Sequence, residues 1–191
     1  NINAINGNFR SLQQIDVWVR PQYGRNTGNG SVVNAHGTYD NAFASMAGLA
    51  NVLEPGVVVG LEGVLFEEYV FPLGINDVAV VGMGNQPRQA TTSGVPNGGG
   101  ATWMTPIAGA TSTTTPLITL RGQSTTLQNI YINSSASAAP AISILMNGAG
   151  DPPVDAAAEH TALVGCFITG AHHGIISSGG SNFITLDGCR F

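Results

Sequence analysis

The sequence predicts an all-β chain: a parallel β-helix, or β-solenoid, with a short capping α-helix at its N-terminal mouth and an extended strand before it. Three observations carry that expectation. A heptapeptide pattern recurs, as "AVVGMGN" (79–85), "TLQNIYI" (126–132), "ALVGCFI" (162–168) and "TLDGCRF" (185–191). Its last two copies stand 23 residues apart, about the length of one coil of such a fold. The composition is poor in charge (9%) and rich in glycine (26 residues). Stacked coils favour small residues at corners and few like charges in register.

The first element is a strand. In "QIDVWVRP", Ile15, Val17 and Val19 share one face and Asp16, Trp18 and Arg20 the other, before Pro21 ends the run. "YGRNTGNGS" (Tyr23–Ser31) then reads as a linker. Residues 1–30 are accordingly read as an N-terminal anchoring arm and residues 31–191 as the β-helix. A lone strand is not stable by itself. It either adds to a sheet of a trimer mate or another protein, or folds back along the flank of its own solenoid.

The cap comes next. "YDNAFASMAGLANVLEPG" offers Asp40 as N-cap, a stripe of Phe43, Met46, Leu49, Ala50 and Leu53, and Pro55-Gly56 as the stop. Such a lid keeps water from the apolar interior and the unpaired edge of the first coil.

Within the repeats, Leu127, Leu163 and Leu186 each close a strand with the side chain inward, and two corner residues follow. Ile130/Ile132, Cys166/Ile168 and Cys189/Phe191 begin the next strand. Leu163 and Cys166 are three apart, so strict alternation cannot bury both, whereas a corner can. The second corner residue is Gly82, Asn129, Gly165 or Gly188, types that enter the left-handed αL region at low cost. A β-sandwich with coincidental turns is the competing reading, and the aligned corners weigh against it. Cys166 and Cys189 fall at one position of successive coils, so their thiols stack inside, about one strand spacing apart. Parallel side-chain vectors favour free core thiols over a disulfide.

The preceding interval is 36 residues, and its excess of 13 matches the Pro- and Gly-bearing stretch Asn147–Glu159. A longer insertion spans Gly84–Thr115. Solenoids carry such additions as loops on one flank, and loops this long usually function or pack on a partner. The sequence halts in mid-pattern at Phe191, and the solenoid is expected to continue beyond it.

Chemistry is sparse. Eleven Asp and Glu against six Lys and Arg, a net charge of −5, argue against nucleic-acid binding. No apolar run reaches the roughly 18 residues of a membrane span. Sugar cleavage needs paired carboxylates, or a carboxylate–calcium–base set, on one outer face. Asp187 stands at a corner beside Arg190, but equivalent positions hold Val164/Phe167 and Gln128/Tyr131, so no acidic column results. Asp151, Asp155 and Glu159 precede His160 and suit a polar surface turn, without the glycine-fixed loop of a calcium site. His172 and His173 point apart and lack a third ligand. Neither Arg88 nor Arg121 sits in a cluster for an acidic substrate, and Gly98–Gly100 form no phosphate loop. The two cysteines have neither zinc spacing nor a catalytic context. No catalytic residue, metal ligand or cofactor is therefore expected. Trp103, in "GGGATWMTP", is the best candidate for stacking on a sugar ring.

"HGTYDNAFASMAGLANVLEPG" (His36–Gly56) resembles the opening segment of the pectate-lyase-like superfamily of right-handed β-helix proteins. There a Gly-Thr-x-x-Asn-Pro-Phe-like run leads into a capping helix, and a Pro-Gly turn into the first coil; Ala42 stands where that family often has Pro. "GINDVAVVGMG" (Gly74–Gly84) is similar to its early coil and "LDGCRF" to later ones. The likeness implies a right-handed β-helix over 31–191 but leaves function open, since the scaffold carries lyases, hydrolases, adhesins and phage spikes alike.

Three functions follow as expectations. The first is a virion structural protein of a phage: a head or tail spike, fibre base or decoration protein. It would be a homotrimer, attached to other virion proteins by its N-terminal arm and meeting cell-surface polysaccharide. The second is a polysaccharide lyase or hydrolase, secreted or a tailspike depolymerase, with its groove largely outside this segment. The third is a glycan-binding adhesin using Trp103. The detachable strand and linker, the uncharged loops and the missing acidic column favour the first.

Overall fold

A computed structural model describes residues 15–21, 37–39, 41–83, 101–104, 116–134, 142–145, 160–169, 174–178 and 183–191. Fourteen short strands lie within them. They are β1 (Val17–Val19), β2 (Val58–Leu61), β3 (Gly63–Phe66), β4 (Tyr69–Val70), β5 (Ala79–Gly82), β6 (Ala101–Met104), β7 (Ile118–Leu120), β8 (Thr126–Gln128), β9 (Ile130–Asn133), β10 (Ile142–Leu145), β11 (Ala162–Val164), β12 (Phe167–Thr169), β13 (Ile175–Ser178) and β14 (Thr185–Asp187). All pair in parallel, forming three sheets ordered β1-β2-β5-β8-β11-β14, β3-β6-β9-β12 and β4-β7-β10-β13. From β2 onward the chain visits the three sheets in fixed rotation. The protein is all-β, with almost no helix among the described residues.

No strand exceeds four residues, too short to stand alone; register along the sheets holds them. In the six-stranded sheet Val17, Val59, Val80, Leu127, Leu163 and Leu186 form one column. All but the last are buried, and each interior member stabilises the fold by roughly 2 kcal/mol. Leu186 keeps its register with Leu163 but is 50% exposed, because β14 is the sheet's outermost strand. Leu65, Trp103, Ile132 and Ile168 make the matching column of the second sheet, all buried.

The corner expectation holds at three positions and needs correction at one. Asn129, Gly165 and Gly188 have φ of 55°, 59° and 60°. The Asn129 N–H donates to Val164 O at 2.9 Å and the Gly165 N–H to Asp187 O at 2.7 Å, so the corners themselves bond along the stack. Gly82 ends β5 without a positive φ. Its requirement is steric: a Cβ there would collide with the Asn129 carbonyl. A second αL column escaped the sequence reading. Gly56, Asp77, Ser124, His160 and Phe183 have φ between 54° and 86°, each two residues before β2, β5, β8, β11 and β14.

The cap also differs from expectation. The helix is a 3-10 turn, Ala47–Asn51, not an α-helix, and Asp40 lies outside the described residues. Leu49 N–H donates to Met46 O and Val52 N–H to Leu49 O, both i to i−3 bonds. At three residues per turn Met46 and Leu49 line up and are buried, while Ala50 falls outside the stripe and is exposed; Phe43, also buried, precedes the turn in a bridge to Val19.

The strand assigned to the anchoring arm belongs to the chain's own sheet. β1 pairs with β2, and Val17 and Val19 join the core. Asp16 accepts the Val58 N–H at 2.8 Å, and Arg20 Nε lies 2.9 Å from Glu62. The outer edge of β1 is closed in turn: the Trp18 N–H donates to Gly37 O, the Phe43 N–H to Trp18 O and the Arg20 N–H to Phe43 O. β1 thus shares a sheet with strands that follow residue 30, and residues 37 and 43 take up its other edge. The linker Tyr23–Ser31 lies outside the described residues.

Candidate functional site

Trp103 is not a surface platform. "ATWM" forms β6 rather than a loop, and alternation along that strand turns Trp103 inward between Leu65 and Ile132. Its exposure is 0%, and its Nε1–H donates to Glu67 O at 2.7 Å. The ring of Tyr69 packs at 6.4 Å between centroids. An indole enclosed this way has no free face for a sugar, contrary to the expectation of glycan stacking at Trp103. The glycines at 98–100 signal a loop in the sequence, but the strand begins directly after them at Ala101.

The residue that receives Trp103 is the more consequential one. Glu67 follows β3 and directs its carboxylate at the start of the 3-10 turn. Met46 N–H donates to Oε2 at 2.7 Å and Ala47 N–H to Oε1 at 2.9 Å, while the next N–H, of Gly48, donates to Ser45 Oγ at 3.1 Å; the N-cap Met46 itself has no side chain to accept. Burial pushes the Glu67 carboxyl upward, against these two bonds. Burial and then the Glu67 charge push the nearby Tyr69 phenol up to about 12. One residue thus fastens the cap with its side chain and the second sheet with its carbonyl. The signal was two acids, Glu67 and Glu68, inside the apolar run "VLFEEYVF".

Cys166 and Cys189 are both free thiols, as their parallel stacking suggests. Cys166 is 1% exposed and its Sγ–H donates to Leu127 O at 3.4 Å; half-buried Cys189 donates to Leu163 O at 3.2 Å. Each thiol therefore leans one level toward the N-terminal end of the stack. The neighbouring thiol, then burial, pushes Cys166 up, and the same neighbour draws Cys189 down.

Asp187 is exposed and in register with Val164 and Gln128. Arg190 bridges to Phe167, whose ring packs against Tyr131 at 5.3 Å. His160 lies flat on Phe183, with centroids 4.8 Å apart and planes 3° from parallel. Arg121 follows β7 and is half-buried. Asp151, Asp155, Glu159, His172, His173 and Arg88 lie outside the described residues. Among the described residues no three His, Cys, Asp or Glu gather as metal ligands, and no helix is long and apolar enough to cross a membrane.

Comparison with protein-family models, with curated proteins and with solved structures finds no match.

Proposed function

We propose that the three sheets are the faces of a right-handed parallel β-helix, and that the chain is a structural shaft of a phage particle: a head or tail spike, fibre base or decoration protein. One observation carries this reading. Six residues, from Val17 to Leu186, keep unbroken register along one sheet although segments of very different length separate them. A stack whose hydrogen bonds run from level to level supplies a stiff rod, with insertions left to the flanks. Parallel crossovers within one sheet are overwhelmingly right-handed, which supports the chosen hand. The resemblance of residues 36–56 to the pectate-lyase-like superfamily supports both the hand and the virion setting.

In this reading the working form is a homotrimer in the virion, with cell-surface polysaccharide as its outer partner. Since β1 is taken up by its own sheet, attachment to other virion proteins falls to the residues before Ile15. Light scattering on the purified chain tests the proposal: a three-chain mass is expected, with rods in electron micrographs and retention on capsid or tail proteins. A monomer that ignores those components overturns it.

A further inference from the structure

We propose that the outer face of β1 carries a saccharide-binding site, in which the rings of Trp18 and Tyr39 take the apolar face of a neutral sugar. The site deepens the proposed function, on whose polysaccharide partner it rests, by giving that partner a place on the chain. Trp18 alternates with the buried Val17 and Val19, so its side chain leaves the sheet on the side away from the core. There it meets Tyr39 at right angles, with centroids 4.9 Å apart and planes at 85°. Trp18 is partly exposed and Tyr39 is 44% exposed. This exposure belongs to a flank and not to an end of the stack. β1 is bonded to β2 along one edge and to Gly37 and Phe43 along the other.

Both rings are fixed before any ligand arrives. Gly60 stands opposite Trp18 in β2, and a Cβ there would come within 2.9 Å of the indole Cε3 and 3.0 Å of Cζ3. The glycine thus makes the seat in which the indole lies down against the sheet. Arg20 holds the second ring. Its guanidinium carbon lies 3.8 Å from the Tyr39 centroid, and its Nη1–H donates to Tyr39 O at 2.9 Å. Its Nε–H donates to Glu62 Oε2, also at 2.9 Å. Rings held in this way lose little freedom on binding, which favours a small ligand with few contacts.

The surroundings select the ligand. A pyranose presents a face of C–H groups and a rim of hydroxyls; aromatic rings suit the face, and carboxylates accept from the rim. Asp16 is exposed next to Trp18 in sequence, and the Glu62 side chain is 28% exposed. Two carboxylates, in a chain of net charge −5, disfavour an acidic sugar, and Glu62 already matches the charge of Arg20. The apolar surface is two rings bordered by charge, well short of the roughly 800 Å² per partner of a standard protein interface. A sugar therefore fits the patch better than a protein does.

The chain has two tryptophans and Trp103 is fully buried, so a ligand-dependent change in tryptophan emission reports on Trp18. The probes are maltohexaose, cellohexaose and mannohexaose, with a hyaluronan hexasaccharide as the acidic comparison. A saturable change at millimolar concentration or below is expected with at least one neutral probe, and none with hyaluronan. Tyr39→Ala, a surface change, should weaken that binding by about tenfold. Trp18→Ala, read by calorimetry, should abolish it, and Tyr39→Ala decides the matter if Trp18→Ala folds poorly. No saturable change with any neutral probe, hyaluronan binding at least as tight, or unchanged affinity in Tyr39→Ala overturns the site. Loss of the three-chain mass in Tyr39→Ala also overturns it, since the ring would then pack against a second copy. A monomer that binds a neutral probe keeps this site and sinks the shaft; a trimer that binds none does the reverse.

Discussion

Asn129 and Gly82 fit together as a lock of backbone against backbone. The Asn129 side-chain amide donates to Gly82 O at 2.9 Å, and its own carbonyl fills the space where a Cβ on Gly82 would sit. The obstacle is main chain held by the Asn129 N–H bond to Val164 O, so it cannot swing aside as a flexible side chain would. Gly82→Ala must therefore push neighbouring levels of the stack apart, and a loss of roughly 3 kcal/mol or more is expected. Gly165→Ala is the control. Among the described residues nothing lies within 4 Å of its would-be Cβ, and only its φ of 59° is unfavourable, which costs about 1 kcal/mol. Urea midpoints should rank the variants in that order, and equal losses would refute the steric account.

Phe183 sets two terms against each other. Its φ of 60° is costly for a bulky side chain, about 1–2 kcal/mol, while asparagine enters this region more readily. Its ring gains back about 0.5–1.5 kcal/mol by stacking on His160. With 70% of the residue exposed, little burial is at stake. Phe183→Asn should thus raise stability by up to ~1 kcal/mol. A clear drop in the melting temperature would show that the stack outweighs the strain.

The hydroxyl of Thr102 is buried in β6 with no hydrogen-bond partner among the described residues. Replacing an unsatisfied hydroxyl by a methyl of similar shape removes a desolvation penalty, so Thr102→Val should stabilise by about 1 kcal/mol. Thr125 makes the opposite case. It is equally buried, but its Oγ1–H donates to Gly122 O at 3.2 Å, so Thr125→Val should destabilise by a similar ~1 kcal/mol. Opposite shifts in the denaturation midpoint, with unchanged slopes, are the expected result.

What could be read from the sequence was what repeats at short range. The Leu127, Leu163 and Leu186 column and the αL corners at Asn129, Gly165 and Gly188 were visible because one heptapeptide recurs with one residue chemistry. The second corner column was hidden because its members, Gly56, Asp77, Ser124, His160 and Phe183, share a backbone angle and no side-chain type. Trp103 was misplaced because three glycines before it signal a loop, while alternation within only four residues carries little information. The cap misled for a related reason. An i, i+3, i+4 stripe suggests an α-helix, but the Glu67 carboxylate that satisfies its first N–H groups comes from 20 residues away, beyond any local pattern.

Glu67 also makes the cap sensitive to pH, and the sign follows from its surroundings. Burial, the largest influence, raises its pKa, and the Ala47 and Met46 N–H groups only partly oppose it. A folded-state value above the unfolded one means that the folded chain holds this proton more tightly. The associated stability is present in full at acid pH and is lost as pH rises through the folded value. Glu67→Gln abolishes the titration and, like the protonated carboxyl, offers one carbonyl oxygen to the two N–H groups, so the two proteins should be about equally stable at acid pH. Urea midpoints followed upward from the ordinary carboxylate range should fall more steeply for wild type than for the variant, so that the variant is the more stable toward neutrality. If wild type gains on the variant instead, the two N–H bonds to the charged carboxylate outweigh its burial, and the cap is held most firmly by the ionised form.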